Sequence, residues 1–292
     1  MTDPSGSTTE TSGTAGVTAP SRAHTPEVSA AKARRWGSFY YAEQVLRVMW
    51  GYGWSILMYS VGQPVAYLFA MGVGLATLVD ADNAAAFGGV SYLAFIAPAL
   101  LVSAAVMTAA NEFTFPVMGG FKWRRTYYGP HASPLTPQQI AAGHIIAVTL
   151  RLLLQSAIYF AAVALFGAAP SGWGWAGIFV ATLAGLSFGL PLMAYSASIR
   201  EDKGQFALVM RFIVMPLFLF SGTFFPLDTL PLAVRWIGWI SPIWHSTELG
   251  RIFSYGYQEP PVLTIVHVLV LLALAVLGWF LTRREFVRRL GQ

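Results

Sequence analysis

Six stretches of the chain are nearly unbroken apolar runs, roughly residues 54–79, 92–111, 138–166, 174–198, 205–222 and 261–282, with polar positions crowded between them. A helix rises about 1.5 Å per residue, so about twenty residues cross a hydrocarbon core about 30 Å thick, and each run is near that length. The pattern predicts an all-α integral membrane protein with six transmembrane helices. The third span has a well-marked start: Thr136 at the cap, Pro137 at the first helical position and Gln139 three residues after the cap form a capping box.

A different pattern precedes the first run. Between Lys32 and Trp50, and just past it, Tyr41, Val45, Val48, Met49 and Tyr52 recur at helical spacing, with Glu43, Gln44 and Arg47 opposite and Trp36, Phe39 and Tyr40 at the start. This predicts an N-terminal amphipathic interfacial helix over residues 31–52, lying in the headgroup plane. Residues 1–30 are Ser, Thr, Gly, Ala and Pro with little to bury, and read as a disordered cytoplasmic leader without the apolar core of a signal peptide.

The stretch at 223–256 breaks the rule of simple runs, because Pro226, Asp228, Pro231, Arg235 and Pro242 interrupt it. Basic residues decide its topology. Lys32, Arg34, Arg35 and Arg47 precede the first span, and Lys122, Arg124 and Arg125 follow the second. Arg200 and Lys203 follow the fourth, and Arg283, Arg284, Arg288 and Arg289 end the chain. The alternate loops are poor in positive charge, with Asp80 and Asp82 in the first and only Arg235 and Arg251 in the fifth. Both termini are therefore expected in the cytoplasm. A single crossing at 223–256 would put the C-terminal arginines outside, and a double crossing would bury the prolines and charges in hydrocarbon. A re-entrant helical hairpin in the outer leaflet avoids both, with Trp236, Trp239 and Trp244 at the interface.

Composition agrees with this class and removes others. The 292 residues are 55% hydrophobic and only 11% charged, and contain no cysteine, which excludes disulfides and thiolate metal sites. Only three of the 18 basic residues are lysine, in a chain rich in Ala and Gly, as suits a GC-rich bacterial genome. The net charge of +5 reflects cytoplasmic loops and gives no reason to expect nucleic acid.

No lysine is followed by Ser or Thr after a Gly-rich loop, so the chain carries no P-loop for ATP. The five histidines, His24, His131, His144, His245 and His267, lack metal-ligand spacing, apart from His245 and Glu248 one turn apart. Arg151 lies about thirteen residues, roughly 20 Å, into the third span. It is expected either to pair within the bundle or to line a substrate path. Arg211 is expected to snorkel to the inner headgroups, His267 to be a satisfied interior histidine, and Glu112 to cap or pair locally. The Gly185, Gly189 and Pro191 cluster suggests either close packing or a flexible point. The cytoplasmic connection at 112–137 is long for a helix link and combines aromatics with adjacent basic residues, which favours docking of a soluble partner.

Three segments carry a resemblance: "YLAFIAPALL" opening the second span, "GFKWRRTYYGPHASPLTPQQIAAGH" in the inner loop, and "FSGTFFPLDTLP" followed by "SPIWHSTELGR" before the last span. They resemble the permease subunits of ABC exporters of the ABC-2 membrane family, closest to the lipooligosaccharide (nodulation-type) and daunorubicin-type permeases, over most of residues 35–289. The resemblance implies an ABC-2 transmembrane domain at 53–290, in the bacterial cytoplasmic membrane. It implies a homodimer of permeases with two copies of a separate ABC ATPase, which binds ATP and Mg, so that this chain has no cofactor of its own. It also implies coupling through Phe121, Lys122, Trp123, Arg124, Arg125, Thr126 and Tyr127. The residues themselves are read as offering a gate or substrate path at Arg151, Phe224, Phe225, Pro226, Trp244 and His245. The expected function is export of an amphipathic lipooligosaccharide, glycolipid or polysaccharide, in contact with membrane lipids. Drug or antibiotic efflux is the alternative within the family. A membrane-embedded lipid transferase or hydrolase using His245 with Glu248 or Asp228 is the alternative outside it. A channel or scaffold is disfavoured because the spans lack a repeated polar face.

Overall fold

The computed structural model describes residues 26–76, 87 and 89–291, and all regular structure among them is helical. Helix α1 (Pro26–Trp50) leads to α2 (Gly53–Phe69), which continues through a π-helical turn at Ala70–Leu75. Next come α3 (Tyr92–Glu112), the short α4 (Phe115–Phe121) and α5 (Tyr128–His131), and the long α6 (Pro137–Leu165). Helix α7 (Gly177–Ser198) follows a 3-10 turn at Gly174–Ala176. Then α8 (Gln205–Val209), a π-helical turn at Met210–Val214 and α9 (Met215–Phe220) form one broken helix. Two helices follow, α10 (Leu232–Trp239) and α11 (Pro242–Tyr255), and then α12 (Pro261–Leu290).

Four stretches among the described residues are long and apolar enough to cross a membrane: Tyr92–Phe121, Pro137–Leu165, Gly174–Ser198 and Pro261–Leu290. Gln205–Phe220 is a shorter apolar helix. The first expected span falls on α2 and its π turn, where Ser60, Gln63 and Pro64 dilute the apolar run, and it is not among the four. Residues 77–79 of that span, Asp80, Asp82, His24 and leader residues 1–25 lie outside the described residues. Leader residues 26–30 are corrected: they belong to α1, where Pro26 suits a first helical position and Glu27 faces the positive helix end. Helix α1 thus runs over 26–50, where a helix over 31–52 was expected.

Helix α7 is the hub, packed most heavily on α12 and α3 and also on α6 and α11. Small residues set these approaches. A Cβ on Gly278 of α12 would lie 2.5 Å from the backbone nitrogen of Pro191 and 2.7 Å from the carbonyl carbon of Leu190. The helices therefore touch backbone to backbone, and Ser187 Oγ donates to Leu271 O (2.9 Å) and Thr282 Oγ1 to Leu190 O (3.1 Å) across the seam. Gly185 and Gly189 likewise receive Leu152 and Phe113, so the cluster serves packing. The buried face of α1, Tyr41 and Ala42 with Val45 and Met49 beside them, lies on α6, where Gly143 lets it approach Ser38 and Tyr41. Val48 and Tyr52, expected on that face, are exposed, as are Trp36, Phe39 and Tyr40. The capping box at Thr136 forms as expected, with Gln139 Nε2 also donating to Arg34 O (2.7 Å).

Candidate functional site

The bundle has two constructed ends. At one end gather α4, α5, the start of α6, the end of α7 and the end of α12. Two glycines before Phe121 let the chain fold back, so that the amide of Arg124 donates to Gly119 O (2.8 Å) and that of Tyr127 to Gly120 O (3.4 Å). Arg125 has φ +50°, the single non-glycine residue in the left-handed region among the described residues. Such a conformation persists only where its surroundings hold it.

Those surroundings are aromatic. Phe121 and Tyr127 are buried, their rings 4.7 Å apart, and Phe286 of α12 meets them at 4.9 and 5.1 Å. Arg289 lies over Phe121 at 4.9 Å and donates to Ala197 O (3.2 Å) and Ile199 O (3.0 Å), tying in the end of α7. Tyr41 of α1 is 6.3 Å from Tyr127. Burial pushes the Tyr127 hydroxyl well above its usual range, so it stays protonated, and it shares a hydrogen bond with His144 Nδ1 of α6 (3.3 Å). Of the seven residues expected to couple to a partner, Phe121 and Tyr127 are thus anchors. Trp123, Arg124, Arg125 and Thr126 are exposed between them, and Lys122 is half-buried beside Trp123.

One layer deeper, Arg151 of α6 forms an ion pair with Glu112 of α3. Glu112 is not engaged locally, as expected of a helix end, but reaches across the bundle. The first turns of α6 lie against α1, and further along the same helix Arg151 meets the C-terminal end of α3. Arg211 lies exposed in the π turn after α8.

At the other end, α11 packs on the first turns of α3, the first turns of α12 and the loop after α6: Gly250 meets Pro98, and the amide of Ser171 donates to Ser254 O (2.9 Å). Arg251 of α11 is only 2% exposed. It pairs with Glu248 (2.7 Å), donates to Gly222 O (2.7 Å) and Phe95 O (3.4 Å), and stacks 3.7 Å over the Phe95 ring. Gly222, at φ +72°, turns its carbonyl toward the guanidinium, and Ser221 Oγ donates to Ser241 Oγ (2.6 Å) at the cap of α11. This clamp frames a cleft of about 590 Å³ whose lining includes Pro226, Asp228, Trp239, Trp244, Tyr257 and Glu259. Phe224 packs edge-on against Phe218 (5.2 Å), and its carbonyl accepts from Tyr92 (3.3 Å). Phe225 is half-buried beside them.

His245 does not meet Glu248, which is held by Arg251. Its Nδ1 lies 2.6 Å from Nδ1 of His267 and its Nε2 3.0 Å from Trp239 O, while His267 Nε2 faces Glu259 (3.1 Å). Trp244 contacts both imidazoles at 4.9 Å. Sequence reasoning missed Arg251, Glu259 and this pairing. His245 and His267 stand 22 residues apart on different helices, so no local periodicity joins them, whereas Arg251 is one helical turn from Glu248 and Glu259 eight residues from His267.

No group of three or more metal-ligating side chains is present among the described residues. The family model described as "ABC-2 type transporter" matches residues 40–255. The chain is similar to "Nodulation protein J" of Rhizobium leguminosarum bv. trifolii, 27% identical over 80% of this chain and 86% of that protein. It is also similar to the proteins of the same name from R. leguminosarum bv. viciae, at 28% over 79% and 86%, and from Rhizobium meliloti (strain 1021), at 26% over 79% and 85%.

Proposed function

The chain belongs to the ABC-2 type transporter family, and from that premise we propose that it is the permease subunit of an ATP-driven exporter for an amphipathic lipooligosaccharide, glycolipid or polysaccharide. The family makes it a multi-pass membrane transport subunit of the kind that works with an ABC ATPase. We assign it six spans, with α2 and the α8–α9 helix completing the four long ones, and place it in a bacterial cytoplasmic membrane. Two permease copies and two ATPase copies form the working assembly, and ATP and Mg are bound by the ATPase.

The observation that carries this reading is the separation of the two ends. The exposed Lys122–Thr126 turn is gripped at both sides by Phe121 and Tyr127, whose cluster touches α1, α6 and α12. A push on the turn therefore moves several helices as one body, as alternating access requires. The basic groups around Lys122, Arg200 and Arg288 share this end with the start of α6, which supports cytoplasmic termini. The opposite end holds an aromatic and charged cleft under α10 and α11, suited to the polar part of an amphiphile, with Phe224, Phe225, Pro226, Trp244 and His245 at its outer gate. The outer-surface enzyme is disfavoured, because both ring nitrogens of His245 are already engaged.

The test is recovery of a co-expressed ABC ATPase with the tagged permease. Charge reversal at Lys122, Arg124 and Arg125 together is expected to abolish recovery without changing membrane insertion. Undiminished recovery would refute the docking role.

A further inference from the structure

The chain of contacts between α11 and α12 allows a count of protons. Three hydrogen bonds run end to end, from Trp239 O to His245, from His245 to His267, and from His267 to Glu259. A carbonyl oxygen only accepts, so His245 Nε2 carries a proton, and the facing pair of Nδ1 atoms needs one proton between them. The last gap needs a third. Two neutral imidazoles supply only two, so the complete chain holds one extra proton, shared as an imidazolium–carboxylate pair or resting on Glu259, and is electrically neutral. The second oxygen of Glu259 already accepts from Thr264 Oγ1 (2.8 Å). A further proton taken up by His245 goes to Nδ1, where it meets the N–H of His267 head-on and breaks the contact between the helices.

We propose that His245, His267 and Glu259 form a proton-binding site that latches the outer segment α10–α11 to α12, and that uptake of one more proton releases the latch. The idea rests on the reading of α10–α11 as an outer gate for its consequence in transport. The latch itself requires neither an ATPase nor a substrate.

Among the described residues, the surroundings leave the site no other counter-charge. On α11, Glu248 is engaged by Arg251. Arg235 of α10 donates to the carbonyls of Asp228 and Leu230, and Asp228 itself is exposed across the cleft. Tyr255 and Tyr257 stay protonated, raised chiefly by burial. At this end α3 brings Tyr92, bonded to Phe224 O, and the titratable Tyr195 of α7 sits near the opposite end of that helix. His245 is 3% and His267 0% exposed. Burial, reinforced by His267 and offset by the Trp239 carbonyl and Glu259, lowers His245 to about 4.

The sign follows. The latched form resists protonation down to about pH 4, whereas a released His245 in water takes a proton near its ordinary value of about 6.5. With the His267–Glu259 contact kept in both forms, the released form binds more protons, through His245, and stability of the latch is lost as pH falls from about 6.5 toward 4, with no further loss below. At pH 5 the released-to-latched ratio is about 30-fold higher than at neutral pH.

The absence of cysteine makes the test direct. Spin labels on Ile240→Cys and Leu269→Cys, exposed sites beside α11 and on α12, report their separation in the full chain reconstituted in lipid nanodiscs. Between pH 7.5 and 5.0 a longer-distance population is expected to grow, and to shrink again on return to pH 7.5. His245→Gln keeps a donor for the Trp239 carbonyl but cannot titrate. His267→Asn offers an amide oxygen that accepts from a protonated His245. Both are expected to abolish the acid response, each by a different route. A distance distribution unchanged by pH in the parent pair, or an acid response that survives in either variant, overturns the latch. Loss of ATPase recovery in the charge-reversed turn has no bearing on this readout, so the two readings fail separately.

Discussion

Replacing Arg251 by Met would test whether the outer segment is held by one buried guanidinium. The side chain is 2% exposed and its Glu248 partner is 9% exposed at the side chain, so water cannot take over the ion pair. Met fills much of the same volume beside Phe95 but leaves the Glu248 carboxylate buried without a counter-charge. Breaking one side of a buried pair costs about 3–5 kcal/mol. The carbonyls of Gly222 and Phe95 lose their donor as well. The double variant Glu248→Gln/Arg251→Met removes the stranded charge and retains only the orphaned carbonyls, worth roughly 1–3 kcal/mol. The double variant should therefore be more stable than the single one by about 2 kcal/mol, or about 30-fold in the unfolding equilibrium. SDS-titrated unfolding in mixed micelles, with parent, single and double variants measured side by side, reads this difference. If the double variant is no more stable than Arg251→Met, the uncompensated charge is not the source of the loss, and the clamp acts through its carbonyl contacts alone.

Two further outcomes follow from the packing. Gly278→Val should lower stability by about 1–3 kcal/mol, because its Cβ meets the Pro191 backbone and α7 and α12 must part. Gly62→Ala, where nothing lies within 4 Å, should be neutral or stabilising in the same SDS titration. At the aromatic anchor, Tyr127→Phe removes the hydrogen bond to His144 while keeping the ring between Phe121 and Phe286, and should cost about 1 kcal/mol. Tyr127→Ala should cost about 3–5 kcal/mol and uncouple transport from ATP hydrolysis in proteoliposomes.

Much of the helix plan was legible in order along the chain. The expected spans at 92–111, 138–166, 174–198 and 261–282 fall on the four long apolar stretches, and Thr136, Pro137 and Gln139 cap α6 as the local pattern requires. These features depend on neighbours a few residues apart, and apolar runs and caps are local signals. Where Pro26 extends the first helix, the signal was also local, but the leader's composition outweighed it.

The identity of the contacts was decided elsewhere. Arg151 pairs with Glu112, 39 residues earlier, a partner that no local pattern points to. His245 had Glu248 as its sequence neighbour, yet Glu248 pairs one turn along the same helix with Arg251, and His245 meets His267 because α11 packs against the start of α12. Phe121 and Tyr127 looked like members of an exposed docking stretch, and only the arrival of Phe286 and Arg289 made them its anchors. Membrane class, helix order and the positions of charge thus follow from the sequence itself, because apolar length and capping act within one element. Which charges pair, which aromatics bury and where a proton can sit depend on helices brought together from distant parts of the chain, where a buried polar group must find whatever partner the packing supplies.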